Sequence, residues 1–498
     1  MEARETSDWR DFHPGEVGPG ALHPRVEAAE TLSSEFSESV ITAAQDILQG
    51  KFSGFDGQTW RVHTPPVWHR DYLTGVESAT TAASAQLRSS KLPGQFKLPA
   101  VWLLSRWSHL VQLAQGYQVS HDEHFRDVLC QWLEDWRQKN PLGRGWNWMQ
   151  VEEAAARLVN LVWLDALGRL PESLLDQLLP AHVWWVWRYG RETADTLPSL
   201  SALVGVLARW PQASAWSASW EWLARHWMNA VLREIAPDGR YQHADLSRQH
   251  WLLQFLLPAR AALQVRGMVV PEAVEHRLGL ALNWWRQMQC GTEPWPFGEA
   301  AEGPLLPAAW PLESGMLKLE SKPMPPPQHF QIGQKEPWKW RLHQAATSHD
   351  DDQQLTLWID HLAVFIDPGS GFPQAIDHNG PCLLAVPKSS WWAHRRITTP
   401  RRTLAELPNG LRITDTASTP FSVRWLLAPG WEIEPHGETW ILFREGHSLE
   451  FSVTGASVEI TTAPCASSYG ITTTAPALVC CSEHGGTLVT EISIYRLL

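Results

Sequence analysis

The sequence predicts a multidomain chain, α then β: an array of helix pairs of the α/α toroid or solenoid kind, followed by an antiparallel β-sandwich. Three observations carry this. Apolar residues recur at three- and four-residue steps from about residue 91 to 315. A proline-rich stretch with Pro323, Pro325, Pro326 and Pro327 follows. Beyond it the apolar period becomes two. The domains therefore read as an irregular, partly helical segment 1–90, a helical domain 91–315, a linker 316–330 and a β domain 331–498.

Residues 1–90 are rich in Thr, Ser, Gly and Pro, with one helix-like run, SSEFSESVITAAQDILQGKF, that closes at Gly50. PAVWLLSRWSHLVQLAQGYQV is the first strongly periodic run. Ser120 reads as the cap of the next helix, HDEHFRDVLCQWLEDWRQK, which ends before Asn140-Pro141. VEEAAARLVNLVWLDALGRL, LPESLLDQLLPAHVWWVWRYG, LPSLSALVGVLARW, SASWEWLARHWMNAVLREI, SRQHWLLQFLLPARAALQVRG and PEAVEHRLGLALNWWRQMQC continue the series. The short loops between them make antiparallel neighbours. The strand runs are WKWRLHQAAT, QQLTLWI, LAVFIDPG, GLRITDT, FSVRWLLAP, TWILFRE, LEFSVTG, SVEITTAP and TLVTEISIYRLL, each bounded by Gly, Pro, Asn or Asp.

Composition narrows the function. Hydrophobic residues at 44 % supply large cores, and 19 % charged residues are too few for a disordered chain. A net charge of −12 disfavours nucleic acid or an anionic membrane as partner. No apolar run is long enough for a membrane helix, and six cysteines without a CxxC pair exclude a disulfide scaffold and a zinc finger. No secretory signal is visible at the start, so a cytoplasmic location is the expectation. The chain has 31 Trp against 6 Tyr. A Trp ring suits stacking on sugars, although pairs such as Trp184-Trp185 and Trp284-Trp285 in helical runs read as packing.

Several segments, in order, resemble the heparinase II/III-like family of polysaccharide lyases. DWRQKNPLGRGWNWMQVEEAAAR is similar to the family segment that leads from a Trp and an Asn-Pro into a helix bearing Glu and Arg four apart, with Trp148, Glu153 and Arg157 on those positions. Asp238-Gly239-Arg240-Tyr241 resembles its Asp-Gly turn, and Gly298-Glu299-Ala300-Ala301-Glu302-Gly303 a later acidic loop. HDDDQQLTLWIDHLAVFIDPG, from His349 to Gly369, matches a β-domain segment without a gap. The resemblance implies an incomplete α/α toroid followed by an antiparallel β-sandwich. It also implies β-elimination on a uronate-containing acidic polysaccharide or oligosaccharide.

Departures from the family pattern fall on its chemistry. The helix opening that carries the family's carboxylate-neutralising Asn and His corresponds to Thr196-Leu197-Pro198, and Arg248 stands where its Tyr is expected. A uronate lyase must neutralise a carboxylate, take the α proton and protonate the leaving oxygen. Arg248 is the candidate for the first task because its fork matches a carboxylate, with His250 or Tyr241 as proton carrier. Trp148, Glu153, Arg157 and His243 are candidates for holding substrate. A catalytically inactive glycan-binding or assembly protein on the same fold is the alternative. A toroid glycoside hydrolase using Glu153 and Asp238 is the third. His121 and His124 read as a solvated helix start. Asp350, Asp351 and Asp352 lack a calcium-loop pattern, and Cys480-Cys481 read as free thiols.

The resemblance further implies a structural zinc on His349, Asp367 and His394, with His378 as a substitute for the last. Two imidazoles and a carboxylate suit that ion. Elemental analysis of purified protein should find about one zinc per chain. His349→Ala and Asp367→Ala should each lose it, and metal-free fresh protein would refute the assignment.

Overall fold

A computed structural model describes residues 34–55, 58–87, 96–190, 196–210, 220–241, 246–288, 330–343, 355–366, 383–385, 401–468 and 471–495. Helices fill the N-terminal half and antiparallel strands the C-terminal half. The chain divides into two compact units. One takes the described residues up to 241 together with 249–282; the other takes 246–248, 283–288 and those from 330 onward. The proline-rich linker lies outside the described residues up to 329.

The first unit opens with helix α1 (Ser34–Leu48) and a two-stranded hairpin, β1 (Lys51–Ser53) and β2 (Thr59–Arg61). Gly50 joins them at φ +74, and a Cβ there would lie 2.3 Å from the Val62 carbonyl oxygen, so this turn needs glycine. A short helix, α2 (Ser84–Leu87), precedes α3 (Leu98–Ser105) and α4 (Ser108–Ser120). Then come α5 (Glu123–Lys139), a 3₁₀ turn at Trp146–Trp148, α6 (Val151–Gly168), α7 (Glu172–Tyr189), α8 (Leu197–Arg209) and α9 (Trp220–Glu234). α10 (Leu246–Val265) and α11 (Glu272–Met288) complete the described helices. Alternate helices α4, α6 and α8 pack on one another, while α5, α7 and α9 each pack on the helix before them. That alternation is the two-ring arrangement of a toroid.

Local chemistry sets the ends. Ser120 is the last residue of α4, where its hydroxyl donates to the Gly116 carbonyl at 2.7 Å, so it does not cap the following helix. His121 instead takes the left-handed conformation, and the Asp122 carboxylate accepts from the His124 amide at 3.0 Å to cap α5. Glu123 in the first turn and Arg137 and Lys139 in the last complement the helix dipole. The periodic run around Arg106 is two helices rather than one. Trp107 breaks it at φ 70, an unfavourable region for a bulky residue, and its fully buried ring fixes it there.

In the second unit a four-stranded sheet runs in order through β3 (Phe330–Lys335), β4 (Trp338–His343), β5 (Leu355–Ile359) and β6 (Leu362–Phe365). The remaining strands are β7 (Leu383–Ala385), β8 (Arg401–Leu407), β9 (Gly410–Ala417), β10 (Phe421–Leu426), β11 (Glu432–His436), β12 (Thr439–Arg444), β13 (His447–Thr454), β14 (Ser457–Ser468), β15 (Ile471–Ser482) and β16 (Gly486–Ile494). They form a six-stranded sheet, β11-β12-β13-β16-β9-β8, and a four-stranded sheet, β14-β15-β10-β7. One hydrophobic cluster draws on all three sheets, with Trp358, Phe365, Trp425, Phe451 and Leu478 among its members. Inside it, Arg402 forks onto Asp415 at 2.7 and 3.0 Å and lies 4.7 Å over the Trp425 ring.

Among the described residues twelve tryptophans, six of them Trp68, Trp107, Trp136, Trp148, Trp227 and Trp251, are fully buried, so these tryptophans build cores in both units. No described helix is long and apolar enough to cross a membrane. A small apolar void between α6, α8 and α10 touches Gly205, whose added Cβ would meet nothing within 4 Å. Gly205→Ala should therefore raise stability by about 0.5–1 kcal/mol through helix propensity alone. Chemical denaturation checks it, and a loss would mean that α8 has no room there.

Candidate functional site

The helical unit carries a buried polar cluster around the residues singled out in α6. Arg106, at the break between α3 and α4, meets Glu153 through both arms of its fork, at 2.8 and 2.7 Å. Both side chains are almost wholly buried. One turn along α6, Arg157 is fully buried, and its guanidinium lies 4.9 Å from the Trp136 ring and 4.9 Å from the Trp148 ring. Its Nε donates to His182 Nε2 at 3.0 Å and one terminal nitrogen to the Asn147 carbonyl at 2.7 Å. Arginine can only donate, so His182 Nε2 is the bare nitrogen and Nδ1 carries the proton, which it gives to the Leu178 carbonyl at 2.7 Å.

Around this pair the amides close ranks. Asn160 donates to the Arg106 carbonyl, Asn147 to the Asn140 side chain, and Asn140 to the Trp136 carbonyl. The electrostatics follow from burial. Two guanidiniums share one carboxylate, and desolvation with Arg106 nearby lowers the Arg157 pKa to about 9 despite the attraction of Glu153. Burial, then the Arg157 charge, pushes His182 well below its ordinary value, so it stays neutral. A cleft of about 460 Å³ lies beside the cluster, lined by Trp136, Asn140, Trp148, Asp176, Gln177 and His182 among others. The indole N–H groups of Trp136 and Trp148 point to internal acceptors, Ser105 and the Asn140 carbonyl.

Trp148, Glu153 and Arg157 are thus brought together, with their polar groups directed at each other's neighbours inside the protein. Arg106, Asn147, Asn160 and His182, which the sequence reading did not single out, complete the cluster. Their signal is a polar residue interrupting an apolar helical run, as in VWLLSRWSHL, ARLVNLVWL and LLPAHVWWV.

The second set lies at the turn before α10. Asp238-Gly239 folds back through Ala236 N to Arg240 O at 2.7 Å, and Ile235 bridges to Tyr241. Gly239 sits at φ +92 with its Cβ position 2.3 Å from the Leu280 carbonyl oxygen, so no other residue fits. Gln249 locks the turn: its amide accepts from the Tyr241 N–H at 2.9 Å and donates to the carbonyls of Gly239 and Ala281. Tyr241 is buried to 1 % exposure. Arg248 is half-buried and His250 exposed on the first turns of α10. Two residues apart on a helix, they point to different sides and do not converge. His250 keeps an exposed edge, yet desolvation by the protein around it lowers its pKa to about 4. Asp238 is engaged by Arg240 at 2.6 Å, far along the chain from Glu153 and its own partner.

A third feature joins these segments. Thr196, at the helix opening that departs from the family pattern, donates its N–H and hydroxyl to the Glu234 carboxylate at 3.1 and 2.5 Å, and the Leu197 N–H adds a bond of 3.1 Å. Arg233 reaches the same carboxylate at 2.6 Å. His243, His349, Asp367, His378 and His394 lie outside the described residues. Among the described residues no group of three His, Cys, Asp or Glu side chains could hold a metal ion.

Glu153→Gln would leave Arg106 buried against a neutral amide beside a second buried cation. It should destabilise the fold by about 3–5 kcal/mol, measured by denaturant unfolding. A loss of glycan binding at unchanged stability would instead mark Glu153 as a substrate contact.

No family model matches the sequence, and no curated protein does. Solved structures do. A crystal structure of heparinase III aligns at 11 % identity over 96 % of this chain and 92 % of that one, with a TM-score of 0.56. A mutant heparan sulfate lyase from Pedobacter heparinus aligns at 13 % identity over 96 % and 88 %, with a TM-score of 0.52. A heparinase III gene product with methylated lysines aligns at 13 % identity over 98 % and 86 %, with a TM-score of 0.50. At such identities the likeness establishes architecture alone, and the chain has the heparinase II/III-like fold, a helical toroid followed by a β-sandwich.

Proposed function

We propose that the protein acts on a uronate-containing acidic glycan as a polysaccharide lyase, cleaving by β-elimination. The observation that carries the reading is the likeness to heparinase III and heparan sulfate lyase structures across nearly the whole chain. Supporting it are the Asp-Gly turn held by Gln249 and the half-buried Arg248 that follows it. In this reading Arg248 neutralises the uronate carboxylate, which stabilises the carbanion left when the α proton departs. His250, or Tyr241 once its turn opens, moves the proton. With a pKa lowered to about 4, His250 is already unprotonated at neutral pH, so activity depending on it would rise through about pH 4 and be flat above. The zinc implied by the resemblance would brace loops of the β domain.

A second reading, a catalytically silent protein that binds such a glycan, draws on one observation in particular. Tyr241 is 1 % exposed, and a buried hydroxyl takes no proton from a polymer without a rearrangement of the turn.

Assays on a panel of uronate polymers separate the two, because only β-elimination creates an unsaturated uronate with its ultraviolet absorbance. Under the lyase reading, wild type forms that product. Arg248→Ala should then lower turnover by about a hundredfold or more while leaving the thermal midpoint within the wild-type range. Binding without product formation on any polymer would establish the silent form.

A further inference from the structure

The contact between Glu234 and the start of α8 links two segments that chain order keeps apart. Four donors converge on one carboxylate: the N–H groups of Thr196 and Leu197, the Thr196 hydroxyl and the Arg233 guanidinium. Arg233 also donates to the Thr196 hydroxyl oxygen at 2.9 Å, so the donors brace one another. The Glu234 side chain is 4 % exposed, whereas that of Arg233 is 61 % exposed. A carboxylate in this place satisfies two orphan amides of a thirteen-residue helix and meets the positive end of its dipole. An external acid arriving at this end would find its position taken.

Glu234 is also the last residue of α9. The next residue, Ile235, forms the bridge to Tyr241, and the Ile235 carbonyl accepts from Arg277 of α11. The backbone from Glu234 to Tyr241 is a closed turn whose far end is held by Gln249. Any shift of Glu234 is therefore transmitted within one residue to the strand-like bridge that places Tyr241.

We propose that Glu234 is a built-in carboxylate ligand that closes the N-terminus of α8 to an external acid and ties it to the turn carrying Tyr241. It is a positioning residue. The consequence for glycan recognition, that a uronate must be neutralised elsewhere, rests on the function proposed above; the closure and the coupling do not.

Hydrogen exchange on the full chain tests both, with Glu234→Ala and with acetate as the probe. Loss of the carboxylate should speed exchange by about tenfold in two places at once, residues 196–200 and residues 235–241. Acetate should slow exchange at 196–200 in the variant, because the four-donor pocket again holds a carboxylate. It should leave 235–241 fast, because the covalent tie is gone. Wild type should not respond to acetate beyond a chloride control of equal ionic strength. Where the alanine variant does not fold, Glu234→Asp retracts the carboxylate by one methylene and should show the same pattern at smaller amplitude. If acetate slows neither segment, the start of α8 is not a carboxylate pocket. If 235–241 is unchanged in the variant, Glu234 is an isolated cap and the coupling fails. Either result overturns the proposal, and neither depends on whether any polymer is cleaved.

Discussion

The helical unit depends on how it accommodates charge in its interior. Arg106 and Glu153 neutralise each other across the break between α3 and α4 and the first turn of α6, and that bidentate contact holds a sharp change of direction in place. Arg157 has no carboxylate of its own. Its charge is met by two indole faces, a neutral imidazole and a backbone carbonyl, and the three rings are fixed by further bonds to Ser105, Asn140 and Leu178. Breaking any link leaves a desolvated cation short of compensation, which costs far more than a surface ion pair. The strained Trp107 belongs to the same construction, since its ring packs edge-on against Trp136 at 4.9 Å and His182 at 5.2 Å. Rotating α6 relative to α4 or α7 would have to undo all of it together.

The fold class was legible because periodicity is dictated by burial. Helices with one apolar stripe and central strands with an inward face advertise themselves. The strands missing from the sequence reading are instructive: β3, β7, β8 and β11 are all edges of their sheets. An edge strand buries less and is defended by charge or proline, as in EIEPH and RRTLAEL, so its alternation fades. β15 is central but carries Pro476, whose carbonyl bonds to Leu427 beyond the end of β10. Proline at that position argues against a central strand, and only the paired neighbours settle it.

The candidate site was less legible, for a different physical reason. A motif such as Glu153 and Arg157 at four-residue spacing fixes one helix face but not what stands opposite. Here the partners are Arg106 and His182, 47 and 25 residues away, and they turn a substrate-like pattern into an internal brace. Conversely, the turn at Asp238-Gly239 was correctly legible as a turn, because glycine at positive φ against a backbone carbonyl leaves a local trace. Its lock, Gln249, leaves none, since an amide in a helix is compatible with many surroundings.

Catalysis by β-elimination needs three functions on one face: a cation or donor set for the carboxylate, a base for the α proton and an acid for the leaving oxygen. A heparinase-like fold supplies a scaffold on which these can be distributed, but it does not require that they be present. In the described part of this chain the functions are spread differently. The donor set at the start of α8 is spent on Glu234, and the tyrosine of the neighbouring turn is sealed inside. Among the described residues Arg248, on the helix that follows, is half-buried. Under the function proposed above, Arg248 is the residue on which carboxylate neutralisation rests. If a uronate docks on it, His250, two residues along α10, meets the substrate from another side of the helix, and the pH profile of turnover separates it from Tyr241.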